Sequence, residues 1–151
     1  MYANTNGMEG KDASIRTAAE EYQADIICVT ETKMIPPNID GYAKWFHKGR
    51  SGRTGGWVAI TVKENLTNKT TEIENLETED QEIIWIQIET TGRKKIHIGT
   101  YYGKQETENK EQIEREYSQI ESRIGQLKRK GPIILTGDFN AKLQINHKRV
   151  V

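Results

Sequence analysis

Apolar positions along this chain follow two periods, and the switches between them mark out its elements. Residues 26–29, within a buried strand read over 25–30, and 133–135 are short continuous apolar runs, the pattern of strands buried on both faces. Strict alternation at Val58, Ile60 and Val62 predicts a strand over 57–62 with those three on one face. Alternation over 83–88 and 95–101 predicts two more, joined as a hairpin across Thr91-Gly92, with His97 half-buried on the face of Tyr101. Residues 42–47 alternate weakly and read as an outer strand, and 63–81 as a long polar edge excursion. Residues 1–7 read as the end of a strand closed by turn chemistry.

Helical spacing appears twice. Ile15, Ala18, Ala19 and Tyr22 share one face of a helix over 12–23. Ile113, Tyr117, Ile120, Ile124 and Leu127 recur at steps of four and three in a longer one. Asn109 is placed to cap that helix with Gln112 as its partner, and Gly131-Pro132 stops it. Pro36 and Pro37 make 34–41 a loop, and Gly137 marks a tight exit from the last strand. Strands layered with helices, without repeats or a linker, predict an α/β fold: a layered sandwich of mixed sheets flanked by helices, one domain over 1–151.

Charge changes the picture only locally. Lys and Arg number 22, as do Asp and Glu, so no global field draws in nucleic acid or a membrane. Residues 44–53 carry Lys44, Lys48, Arg50 and Arg53 with no acid, whereas 70–91 are acidic with no Lys or Arg. The glycine-rich stretch 47–56 lacks the Gly-Lys-Ser/Thr ending of a nucleotide-binding loop and opens no helix. Cys28, the single cysteine, sits in an apolar run and reads as a small packed hydrophobe; disulfide and zinc frameworks are excluded. With no apolar stretch of membrane-spanning length and no signal peptide, an intracellular, unsecreted protein is expected.

Candidate chemistry lies where strands end. Asp138 and Asn140 follow the last strand, and alone that pair reads as an Asx turn. Other strand ends deliver Asn4, Glu31 and Tyr101. Together these are the groups a divalent-metal phosphoesterase needs: oxygen ligands for a hard cation such as Mg²⁺, a second carboxylate to take a proton from water, and neutral donors for phosphate oxygens.

Five blocks carry a resemblance: Asn4-Thr-Asn-Gly, Thr30-Glu-Thr-Lys, Gly55-Gly-Trp-Val-Ala-Ile, Thr100-Tyr and Gly137-Asp-Phe-Asn-Ala. In this order and spacing they are similar to the endonuclease/exonuclease/phosphatase superfamily, and within it most resemble the endonuclease domain of non-LTR (LINE-type) retrotransposons. The resemblance implies a deoxyribonuclease-like fold and Mg²⁺-dependent nicking of DNA, with Mn²⁺ as a substitute. It implies Glu31 as principal metal ligand with Asn4 beside it, Tyr101 on the scissile phosphate, Asp138 activating water and Asn140 orienting both. Lys48, Arg50 and Arg53 are expected to touch DNA phosphates from the glycine-rich loop, with a solvated hairpin turn as the alternative reading. Some repair members carry a carboxylate where this chain has Asn6, which weakens a second metal-ligand assignment and fits the retrotransposon branch.

Such domains sit in a longer polyprotein with a reverse transcriptase, which implies a nuclear location. The family's C-terminal half, with a Ser-Asp-His-like block, has no counterpart here, so the chain is expected to be the N-terminal half to two-thirds of the domain and a slow catalyst. His47, His97 and His147 are not in that block's context. A phosphoesterase of the same fold acting on another substrate, or a non-catalytic relic, stays open.

Overall fold

Two four-stranded mixed sheets stack face to face in the computed structural model, with a helix on each outer side. The structure describes residues 1–49, 57–74, 81–104 and 109–140. In the first sheet β1 (Tyr2–Asn4) runs parallel to β2 (Ile26–Thr30), which pairs antiparallel with β4 (Val58–Val62), itself paired with the outer β3 (Phe46–Lys48). In the second, β5 (Thr70–Ile73), β6 (Glu82–Glu89) and β7 (Lys95–Tyr102) are antiparallel neighbours, and β8 (Ile133–Asp138) lies parallel to β7. This is the layered α/β sandwich of mixed sheets that the pattern implied.

Alternation divides the side chains among three cores. Val58, Ile60 and Val62 meet Ile84, Ile86, Ile88 and Ile98 between the sheets, and Cys28 packs there as a small hydrophobe. The other parity of the first sheet, Ile27, Val29 and Ala59, buries Ile15 and Ala19 of α1 (Asp12–Glu21). The other parity of the second buries Ile120 and Leu127 of α2 (Lys110–Lys128) against Ile83, Trp85 and Tyr101. Each aliphatic side chain removed from water in this way contributes about 1.5–3 kcal/mol. Trp85 lies opposite Gly99, where any Cβ would run into its indole. Asn109 caps α2 by accepting the Glu111 N–H at 2.9 Å.

Several expectations need correction. Residues 63–81 are more than an excursion: a 3-10 turn (Glu64–Lys69) leads into β5, whose Thr-Thr-Glu-Ile sequence is too polar and short to show a period. The outer strand begins only at Phe46, and Tyr42 makes a single bridge to Lys63. β8 was expected to be buried on both faces. Among the described residues it is an edge strand paired only with β7, and Ile134 is 51% exposed. His97, expected half-buried, is fully buried in the face packed beneath α2. Among the described residues no helix is long and apolar enough to cross a membrane.

Candidate functional site

Strand direction gathers the chemistry at one end of the sandwich. β1 and β2 are parallel with Asn4 opposite Thr30, so Asn4 and Glu31 emerge together. β8 runs parallel to β7 and ends at Asp138. The sheets meet along β1 and β8, and there the three side chains touch: Asn4 Nδ2 donates to Glu31 Oε1 at 2.9 Å and to Asp138 Oδ2 at 3.1 Å. Residues 134 apart in sequence are thus joined through one amide. Its orientation is fixed from behind, because Asn4 Oδ1 accepts the Asn6 N–H at 3.1 Å.

Asp138 is held a second time. Its Oδ1 accepts the Asn140 N–H at 2.9 Å, closing an Asx turn. Asn140 Nδ2 donates to Gly103 O at 2.6 Å, and Gly103 N–H donates to Asp138 O at 2.7 Å. The turn reading and the functional reading of this pair therefore coexist, since the turn aims the carboxylate. Behind Glu31, Thr5 Oγ1 donates to Thr30 O at 3.0 Å and Gly7 N–H to Glu31 O at 2.6 Å.

Backbone strain is concentrated here. Among the described residues seven non-glycines have positive φ; Asn6 (41°), Glu31 (55°), Lys33 (59°), Trp57 (73°) and Asn140 (47°) all lie at this end. Each such conformation costs on the order of 1–3 kcal/mol and persists only where surrounding bonds over-determine it. Clustering of that kind accompanies functional sites more often than plain scaffold.

The residues expected from sequence divide. Asn4, Glu31 and Asp138 are brought together, with Asn140 supporting them. Tyr101 is not: it is 1% exposed and packs edge-to-face on Phe139 at 5.3 Å and Tyr117 at 6.3 Å in the core under α2. Alternation is the reason, since Tyr101 shares parity with His97 and Gly99, which face the helix. Asn4 also differs from the ligand expected of it. Its nitrogen, not its oxygen, faces the carboxylates, so it acts as a shared donor. Lys48 closes β3 at this same end; Arg50 and Arg53 lie outside the described residues.

Two residues were missed. Lys33, exposed beside Glu31, donates to Asn6 Oδ1 at 2.7 Å and brings a cation to the rim; its place in the Thr-Glu-Thr-Lys block was the available signal. Tyr2 OH bonds Thr30 Oγ1 at 3.0 Å. Burial pushes its phenol above the usual value and the Asp138 and Glu31 carboxylates add to that, opposed by the Thr30 bond.

Among the described residues no three acidic, His or Cys side chains form a metal cage. Two carboxylates bridged by an amide suit a hard cation that keeps most of its water, which is how Mg²⁺ binds. The donor set fits that ion and does not fit zinc, which takes four nitrogen or sulfur ligands in its structural sites.

A family model described as Endonuclease/Exonuclease/phosphatase family matches residues 1–145. No curated protein matches the chain significantly. The fold is similar to the endonuclease domain of TRAS1, a telomere-specific non-LTR retrotransposon: TM-score 0.65, 23% identity, 93% of this chain and 59% of that one. The Xenopus laevis APE2 catalytic domain is similar at TM-score 0.65 and 21% identity, over 93% and 57% of the two chains. An AP endonuclease from Archaeoglobus fulgidus gives 0.59 and 19%, over 93% and 56%. The chain thus spans less than two-thirds of these structures.

Proposed function

Because the chain belongs to the endonuclease/exonuclease/phosphatase family, we propose that its strand-end cluster hydrolyses phosphodiester bonds in DNA with Mg²⁺ or Mn²⁺, as a nicking endonuclease domain of the retrotransposon type. The observation that carries this reading is the Asn4 amide joining Glu31 and Asp138 from opposite sheets.

The bonds support the following roles. Asp138 has each oxygen held by one N–H donor, which aims the carboxylate and leaves lone pairs for a water proton. Glu31 would hold the cation, with Asn4 keeping the two carboxylates apart and aligned. A bound cation would neutralise phosphate charge and stabilise the negative charge that builds during in-line attack. Lys33, steadied by Asn6, supplies a positive charge at the rim for a phosphate oxygen. Lys48, with Arg50 and Arg53, would contact phosphates further along the strand.

The resemblance to the TRAS1 domain supports DNA as substrate. On this reading, residues 1–151 are part of one such domain in a longer nuclear protein that also carries a reverse transcriptase. The test is nicking of supercoiled plasmid with enzyme in excess. Slow relaxation that needs Mg²⁺ and stops on Asp138→Asn is expected. No nicking under any divalent cation, from a folded chain, would leave the domain a non-catalytic relic.

A further inference from the structure

One feature at the catalytic end takes no part in the hydrolytic cluster. Trp57 precedes β4, and the β2–β4 register, carried one pair beyond Thr30 and Val58, sets it opposite Glu31. Its carbonyl accepts the Thr32 N–H at 3.3 Å, so the residue is tied to the turn that presents Glu31. Its backbone is left-handed at φ 73°, a conformation expensive for a bulky residue. The indole stacks with the His47 ring at 6.0 Å between centroids and 18° between planes. Gly49 lies so close against the indole that any Cβ there would collide with the ring.

A strained, backbone-tied tryptophan on a glycine bed is a preorganised surface. It is also an open one: His47 is exposed and Trp57 partly so, whereas Trp45 and Trp85 are buried. Packing alone does not call for this, because an exposed imidazole adds little to a core. Two stacked heteroaromatic rings beside a phosphate-handling centre, with Lys48 next in the strand, match an unpaired nucleobase: a flat π-face whose adjoining phosphate is anionic.

We infer that His47 and Trp57 form a stacking subsite for a nucleobase flanking the scissile phosphate. The inference rests on the DNA-hydrolase reading and deepens it, since it assigns the site a substrate with at least one base turned out of a duplex.

Base-on-aromatic stacking is worth about 1–3 kcal/mol per base, equivalent to roughly 5- to 150-fold in affinity. The experiment measures anisotropy of a labelled oligonucleotide with a single-stranded overhang, on the Asp138→Asn background so that nothing is cut. His47→Ala and Trp57→Leu should weaken binding within that range and leave the salt slope unchanged, because no phosphate contact is lost. Trp57→Phe, which keeps a ring and guards against a folding defect, should retain most affinity. Lys33→Gln should instead lower the slope by about one. An abasic unit at the flanking position should abolish the difference between parent and His47→Ala. Unchanged affinity in both folded ring variants overturns the subsite alone. A parent that binds no DNA overturns the hydrolase reading and the subsite with it.

Discussion

Asn4 donates to two carboxylates at once, so Asn4→Asp tests the bridge with little change of shape. The substitution removes two bonds, at 2.9 and 3.1 Å, and puts a third negative charge within reach of Glu31 and Asp138. Two unit charges ~3 Å apart repel by about 1.4 kcal/mol in bulk water and about four times that at an effective dielectric of 20. Asn4 is exposed, so the water value is the better guide. Two such repulsions plus two lost hydrogen bonds of about 1 kcal/mol each, allowing for relaxation, give ~2–4 kcal/mol of destabilisation at pH 7. The sign with pH is fixed, because the penalty belongs to the ionised cluster. It is full at neutral pH and shrinks only where acid removes the charge introduced at position 4. Added Mg²⁺ offsets it and stabilises the variant more than the parent. Urea unfolding midpoints across pH, with and without Mg²⁺, read all three effects. A variant as stable as the parent at pH 7, or a loss independent of pH, would refute the shared-donor geometry.

Gly137 has φ 145°, open to glycine alone, and a Cβ there would run into the Tyr101 carbonyl across the β7–β8 pair. Gly137→Ala should cost about 2–4 kcal/mol by urea unfolding, where less than 1 would show that β8 shifts freely. Burial pushes the Cys28 thiol above its ordinary 9.0, so protonation is retained in the folded state where the unfolded chain has already ionised. Stability is then full below pH 9 and falls as pH rises from there, by up to about 1.4 kcal/mol per unit until the folded thiol ionises; Cys28→Ala should flatten that part of the profile. In a Mn²⁺ titration followed by electron paramagnetic resonance, Glu31→Gln should weaken cation binding more than Asp138→Asn does, and equal losses would remove the division between ligand and base.

The parts of the molecule legible in sequence are those where one physical demand acts alone. α2 reads directly because a helix packed on a sheet must place Ile120, Ile124 and Leu127 on one stripe. β4 reads because its alternation is uninterrupted. β5 does not, since a short edge strand needs no apolar face. β8 misleads because its Ile-Ile-Leu run matches a central strand, while position in the sheet is a property of pairing partners that no local pattern carries. The cluster was legible as residue types at strand ends, and the direction of the Asn4 amide was not. Tyr101 shows the opposite failure: its motif placed it at the chemistry, and strand parity turned it into the core. Lys33 and Trp57 sat inside recognisable blocks, but their use depends on left-handed backbone set by tertiary bonds.

The most direct test of the central claim is the fate of solvent oxygen. A labelled DNA duplex incubated with excess protein and Mg²⁺ in heavy-oxygen water should yield a 3′-hydroxyl and a 5′-phosphate carrying one heavy oxygen. Asp138→Asn should suppress the product by at least two orders of magnitude, in line with about 10²–10⁴-fold for loss of a general base. Product without heavy oxygen, or formed as fast by the Asp138→Asn variant, would show that water activated at Asp138 is not the nucleophile.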